Sequence, residues 1–91
     1  MAISVLIPTV LRKYTAGKQQ VHVDGATVGD VIRALETNFH GITHGLYQEN
    51  GELKPFINVY VNDEDIRFLN ELDTAVGGND TVTILPAIAG G

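Results

Sequence analysis

The feature that most constrains the fold is a single apolar stripe with helical spacing in a chain whose other apolar residues mostly alternate. The stripe runs from Val28 to Phe39 with apolar residues at i, i+3, i+4, i+7 and i+11. This pattern is typical of an amphipathic helix of about three turns. Thr27 is suited to cap the start of the helix, Asp30 occupies the capping-box position, and Gly41 is suited to a left-handed stop. A lone helix of this kind must bury its apolar face against another layer.

Short alternating stretches supply that layer. Apolar residues at every second position predict strands at 3–7, 20–24, 57–61, 66–68 and 81–85. A turn at 14–18, with Gly17 at a positive φ, joins the first two strands, and the acidic stretch 62–65 turns the chain after the third. Ile42 and Leu46 are expected to anchor the irregular stretch 42–55. The order predicts an α+β fold, a mixed sheet with one helix across one face and the last strand parallel to the first.

Composition excludes several classes of protein. Ninety-one residues make one small domain, and no apolar run approaches the ~18 residues of a membrane-spanning helix. The chain has no cysteine, which removes disulfides, thiolate metal sites and cysteine nucleophiles. A net charge of −5 disfavours nucleic acid and favours basic surfaces on protein partners. The start of the chain lacks a signal-peptide pattern, so a cytoplasmic location and a monomeric state are expected.

The C-terminal end, residues 86–91, is predicted to be a flexible tail on a domain spanning 1–85. A proline ends the last strand, and only small residues and one isoleucine follow it: Pro86, Ala87, Ile88, Ala89, Gly90 and Gly91. Fully extended, the last five residues reach roughly 15 Å. Two terminal glycines can thread a narrow channel and leave the carboxylate of Gly91 uncrowded.

Candidate functional residues inside the body are few. The sequence contains no nucleotide-binding or nucleophile-elbow motif and no apparent nucleophile–base pair. His40 and His44 have i, i+4 spacing, but Gly41 lies between them, so loop histidines are favoured over a metal site. Leu85 is expected on the open face of the sheet beside Phe68 or Tyr60, where the three would form a docking patch for a partner.

The chemistry therefore falls to the terminal carboxylate. A free carboxylate is a poor electrophile and requires activation, for example as an acyl-adenylate on a partner that binds ATP. A sulfur donor that displaces the adenylate leaves a thiocarboxylate, whose sulfur is a soft nucleophile like a thiolate.

The layout, together with Leu85-Pro86-Ala87-Ile88-Ala89-Gly90-Gly91, resembles the MoaD/ThiS family of ubiquitin-like sulfur carriers, whose fold is the β-grasp. The stretches 7–12 with 15–17, 56–68 and 82–87 are most similar to the CysO-type subgroup of cysteine biosynthesis. The turn at 62–67 and a tail beginning Pro-Ala favour that subgroup over the molybdopterin-synthase subunit. The departures are Asn79 before the last strand and a weak match in the helix and the 42–55 loop.

The resemblance implies a route for sulfur. An E1-like enzyme would adenylate Gly91 and convert it to a thiocarboxylate. The sulfur would attack an aminoacrylate in a pyridoxal-phosphate cysteine synthase, and a zinc peptidase would release cysteine. ATP, pyridoxal phosphate and zinc would all reside on these partners, with no cofactor or metal on this chain, which is a carrier rather than an enzyme.

Other functions remain open at this point. A ubiquitin-like modifier conjugated to lysines would share the tail and the activation step. A permanent synthase subunit, as in molybdopterin synthase, or a thiamine-thiazole sulfur carrier would use the same end. An independent enzyme is the least favoured class.

Overall fold

The computed structural model describes residues 2–86, which form a five-stranded mixed sheet with one α-helix packed on one face. The elements are β1 (Ala2–Leu6), β2 (Gln20–Asp24), α1 (Val28–Asn38), β3 (Ile57–Val61), β4 (Glu64–Asp65) and β5 (Thr81–Pro86). The strand order is β2-β1-β5-β3-β4. None of the helices in these residues is long and apolar enough to cross a membrane.

Strand β5 occupies the centre of the sheet. It runs parallel to β1, with Val5 opposite Val82, and antiparallel to β3, with Val59 opposite Ile84. Each of these four side chains is buried against the helix-covered face. The prediction of a central last strand parallel to the first is confirmed.

Helix α1 begins and ends close to the predicted positions. The Thr27 hydroxyl accepts a hydrogen bond from the Asp30 backbone N–H at 3.1 Å, which is the expected cap. The Asp30 carboxylate accepts from the N–H of Ala26 at 3.3 Å rather than from that of Thr27. After the helix, Gly41 has φ 94°, and a Cβ there would lie 3.3 Å from the Tyr14 ring. A glycine therefore suits this position for two reasons, the positive φ of the backbone and the close approach of the Tyr14 ring.

The core lies between the helix and the sheet. The apolar stripe of α1 packs there with the inward residues of the four longer strands, and Ile42 and Leu46 close one end, both fully buried as predicted. The largest fully buried side chains are Ile3, Ile32, Leu35, Ile42, Leu46, Ile66 and Ile84. Alternate residues of each strand face outward, which leaves one face of the sheet open.

The predicted strand at 66–68 is wrong. The return strand is the two-residue β4, and Ile66–Phe68 is a turn of 3₁₀-helix. Asn62 takes φ 58° in the two-residue connection between β3 and β4. The Asp65 carboxylate then accepts from the Arg67 backbone N–H at 2.9 Å, and this local cap ends the strand.

The connection between β1 and β2 also holds structure that the sequence analysis did not predict. Residues Thr9–Tyr14 form a 3₁₀-helix after Pro8. Thr15 is fully buried and its hydroxyl donates to the Lys18 carbonyl at 2.9 Å, and Gly17 has the predicted positive φ of 85°. The 3₁₀-helix matters for function because it lies beside the C-terminal end of β5.

Candidate functional site: the surface where the tail begins

The predicted tail begins at the end of β5. Pro86, its first residue, is the last residue of that strand and pairs with Ile57 of β3. The other predicted tail residues, Ala87, Ile88, Ala89, Gly90 and Gly91, lie outside the described residues. The structure therefore defines the surface from which the predicted reactive end departs.

Two grooves flank Pro86. The first encloses about 470 Å³ between β5, the end of β1 and the 3₁₀-helix, and Leu6, Val10 and Leu85 are its exposed apolar side chains. Its other lining residues are Ile7, Pro8, Thr9, Arg12, Gln19, Gln20, Thr83, Ile84 and Pro86. Of Leu6, Val10 and Leu85, the most exposed is Val10, at 58%.

The second groove lies on the other side of Pro86 and encloses about 390 Å³. Phe56, 52% exposed, and Tyr14 supply its aromatic surface, and it shares Val10 and Pro86 with the first groove. Its remaining lining residues are Leu11, Lys13, His44, Gly45, Lys54 and Ile57. Both grooves and their lining residues are called the tail-exit surface below.

Basic side chains of the tail-exit surface are restrained by their neighbours. The Arg12 Nε donates to the Ile7 carbonyl at 3.2 Å. The Lys13 ammonium lies 5.2 Å from the centre of the Tyr14 ring, and the Lys54 ammonium lies 5.7 Å from that of Phe56. At these distances, cation–π attraction favours positions of the two ammonium groups beside the grooves.

Glu36 fixes the segment that carries one wall of the second groove. Its carboxylate accepts from the Thr43 hydroxyl at 2.6 Å, from the Gly41 N–H at 2.8 Å and from the Thr43 N–H at 3.1 Å. The bond from the Thr43 hydroxyl is the largest cause, and together they lower the pKa of Glu36 to about 2. The charged carboxylate thus ties the end of α1 to the short 3₁₀-helix Ile42–Gly45, where His44 and Gly45 line the groove.

The predicted docking residues are only partly brought together. Leu85 is 46% exposed on the open face, and with the half-buried Tyr60 it lines a shallow pocket of about 180 Å³. Phe68 is 85% exposed, but it lies on the 3₁₀-helix after β4 and lines none of these three depressions. The sequence analysis missed Leu6, Val10 and Phe56. Leu6 is on an outward strand position and Phe56 follows a proline, whereas nothing in the local sequence distinguishes Val10.

The structure also brings together a serine and a histidine that the sequence did not connect. Paired strands place the Ser4 hydroxyl 3.1 Å from the His22 Nε2, and the Gln20 side-chain amide donates to the same hydroxyl. This cluster is exposed on the open face of the sheet, where Gln20 borders the first groove but Ser4 and His22 line none of the depressions described above. Catalysis by such a pair requires a preorganised site that excludes water, which this position does not offer.

His40 and His44 are both exposed, as expected for loop histidines. Within residues 2–86, no three histidine or carboxylate side chains are grouped in a way that could hold a metal ion. The candidate site is the tail-exit surface, where two grooves flank Pro86, the first residue of the predicted tail.

Comparison with known proteins places this arrangement in a family. The model of the ThiS family matches residues 5–91, which is nearly the whole chain. The chain belongs to the ThiS family. It is 50% identical over 93 residues to the sulfur carrier protein CysO of Mycobacterium tuberculosis, covering all of both chains.

Solved structures agree on the fold. The chain superposes on a chain of the Amycolatopsis orientalis BexX/CysO complex with a TM-score of 0.90 and 50% identity, covering 99% of this chain and 100% of that one. The fold is thus the predicted ubiquitin-like β-grasp. A second kind of relative is the small archaeal modifier protein 3 of Haloferax volcanii, 43% identical over 68 residues, which cover 75% of this chain and 73% of that protein.

Proposed function

We propose that this chain is a sulfur carrier whose Gly91 is converted to a thiocarboxylate by partner enzymes, and that the sulfur is used to make cysteine. The observation that carries this proposal is the 50% identity, over the full length of both chains, to a protein named as a sulfur carrier. The geometry supports it because the central strand β5 ends at an apolar surface from which the Gly-Gly end departs.

Activation supplies the electrophile that the free carboxylate lacks. A carboxylate oxygen of Gly91 attacks the α-phosphorus of ATP on an E1-like enzyme, and pyrophosphate leaves. A sulfide-equivalent donor then attacks the acyl carbon of the adenylate, AMP leaves, and a thiocarboxylate remains. Residues 87–91 are long enough, at roughly 15 Å, for the body to stay on the enzyme's surface while the terminus reaches its active site.

Sulfur transfer follows on a second partner. The thiocarboxylate sulfur attacks an electrophilic carbon held by a pyridoxal-phosphate cysteine synthase, which forms a carbon–sulfur bond. A zinc peptidase then hydrolyses the bond between Gly91 and the product, which restores the carboxylate and releases cysteine. In this scheme the chain contributes docking and presentation, and the cofactors belong to the partners.

Intact-protein mass spectrometry tests the first step. The chain is incubated with ATP, the E1-like enzyme of its own organism and a sulfide source. We expect a mass gain equal to one oxygen-to-sulfur exchange, localised to the peptide that ends in Gly91. The matched control is the chain without Gly91, which should show no gain and an unchanged melting temperature, since residue 91 is predicted to lie in a free tail. A full reaction mixture that leaves the wild-type mass unchanged would contradict the proposal.

A second candidate is a ubiquitin-like modifier, favoured by the 43% identity to the small archaeal modifier protein 3. Conjugation would start from the same adenylate but end in an isopeptide with a lysine of another protein. The same experiment, repeated with added cell extract, separates the two functions. A lysine-linked Gly91 adduct without thiocarboxylate would favour the modifier.

A further inference from the structure

The distribution of charge at the tail-exit surface opposes that of the whole chain. The chain has eleven acidic residues and six basic ones. Half of the basic residues, Arg12, Lys13 and Lys54, line the two grooves beside Pro86, together with His44. Among residues 2–86, no Asp or Glu lines either groove.

The topology explains why these cations meet. Strands β1 and β5 are parallel, so both end at the same edge of the sheet, and antiparallel β3 begins there. The segment after β1 brings Arg12 and Lys13 to that edge, and the segment before β3 brings Lys54. The opposite edge holds carboxylates at the end of β2, in the β3–β4 connection and before β5: Asp24, Asp63 and Asp80.

Two carboxylates close to these segments, Glu36 and Glu52, lie outside the two grooves. Glu36 is held by Thr43 and Gly41, as described above. Glu52 lines a neighbouring groove of about 430 Å³ between the 51–55 loop and the segment after β4, and that groove shares Lys54 and Ile57 with the second groove. The charged side chains that line the two grooves themselves are therefore all basic.

We propose that the tail-exit surface docks on a protein surface with an apolar centre and a rim of carboxylates, found on the enzyme that activates Gly91. This inference rests on the proposed function, since it concerns the partner that handles the tail. Whatever acts on Gly91 must come within roughly 15 Å of Pro86, so this surface is the part of the body nearest to it. The exposed Val10, Phe56 and Leu85 would occupy the apolar centre, with Lys13 and Lys54 at the rim.

Net charge alone gives the opposite expectation, that the acidic chain meets basic surfaces. The structure favours an acidic protein surface because the charges that face the partner are those around the tail. Nucleic acid is disfavoured since about half of the exposed residues lining these grooves are apolar and the chain as a whole is repelled by phosphate. Complementary charges at a rim mainly speed association and select the partner.

The test is the dissociation constant between the full chain and its E1-like enzyme, measured by isothermal titration calorimetry at low and high salt. The variant is Lys13→Glu/Lys54→Glu. The matched control is Arg33→Glu combined with Lys18→Glu, which changes the net charge equally at residues that line neither groove. Circular dichroism verifies that each variant is folded.

At low salt, we expect the groove variant to bind the E1-like enzyme at least about tenfold more weakly than the wild type does. At high salt, most of this difference in affinity should disappear. The control should stay within about twofold of the wild type. Equal weakening in both double variants would overturn the proposal, because it would show that net charge rather than this surface matters. So would unchanged affinity of the groove variant.

Two further outcomes would also overturn it. Sedimentation that shows wild-type self-association, abolished in the groove variant, would make a second copy of this chain the occupant. Binding of the wild type to single-stranded DNA, with the same dependence on Lys13 and Lys54, would make nucleic acid the occupant of the surface. Failure of the proposed function is distinguished by the mass measurement, since a wild type that binds tightly but never gains sulfur leaves the docking inference intact.

Discussion

Neighbouring residues of β5 should separate stability from docking. Ile84 is 1% exposed in the core and Leu85 is 46% exposed on the open face. Replacing a buried isoleucine by alanine costs about 3 kcal/mol, and about 1 kcal/mol less stability lowers the melting temperature of a domain this small by about 4–8 °C. Ile84→Ala should therefore lower the melting temperature by at least about 12 °C. Leu85→Ala removes a half-exposed side chain and should cost about 1 kcal/mol or less.

The loss of binding affinity should show the reverse order, with Leu85→Ala more affected than Ile84→Ala. Leu85 borders the first groove, so Leu85→Ala should weaken binding to the E1-like enzyme about fivefold or more, whereas Ile84→Ala, measured well below its melting temperature, should bind nearly as the wild type does. Urea unfolding followed by circular dichroism gives the stabilities, and calorimetry gives the affinities. If Leu85→Ala lost as much stability as Ile84→Ala, the assigned register of β5 would be refuted, because a one-residue slip exchanges the two faces.

Two further predictions concern helix α1. Thr27→Ala removes the N-cap and should lower the free energy of unfolding in urea by about 1 kcal/mol. The control Thr37→Ala should cost little, because the Thr37 hydroxyl donates only to the Arg33 carbonyl, at 3.1 Å on the exposed helix surface. Equal losses of stability in the two variants would contradict the cap. Glu36→Gln should be less stable than the wild type at neutral pH, because the pKa of Glu36 in the folded state lies at about 2, below its ordinary value. That difference in unfolding free energy should shrink as the pH falls from about 4.5 toward 2, where the wild-type carboxylate takes up a proton, and a difference independent of pH would contradict this account.

Local and periodic features were predictable from the sequence. Helix α1 followed from its stripe and its Thr27 cap, and the central place of β5 followed from two strongly apolar strands. The strand predicted at 66–68 failed because the alternation of Ile66 and Phe68 was outweighed by a side-chain cap from Asp65. Two-residue strands carry too little periodicity to be distinguished from turns.

The tail-exit surface could not be predicted from contiguous residues. The Gly-Gly end and the proline before it are contiguous, so the sequence alone predicts a reactive tail, and this stays a prediction because residues 87–91 lie outside the described residues. Val10 lies far along the chain from Lys54 and Phe56, and only the pairing of β5 with both β1 and β3 brings them to one edge. Likewise, the charges counted along the chain add up to a negative net charge, but this count does not reveal that three basic side chains gather at one end of the sheet.

A central strand suits the presentation of a reactive end for a physical reason. Strand β5 has ladder partners on both sides, so the start of the tail is held by the most deeply buried part of the fold, with Val82 and Ile84 both nearly inaccessible to solvent. Its outward residues are free to meet partners without a large cost in stability, since they contribute little to the core. The position of Pro86, where the predicted tail begins, is thereby fixed by the core, while the proposed choice of partner depends on side chains at the rim. The proposed function, in which several enzymes act on Gly91 in turn, requires that separation, because each partner can then bind the same edge of the sheet while the domain stays folded.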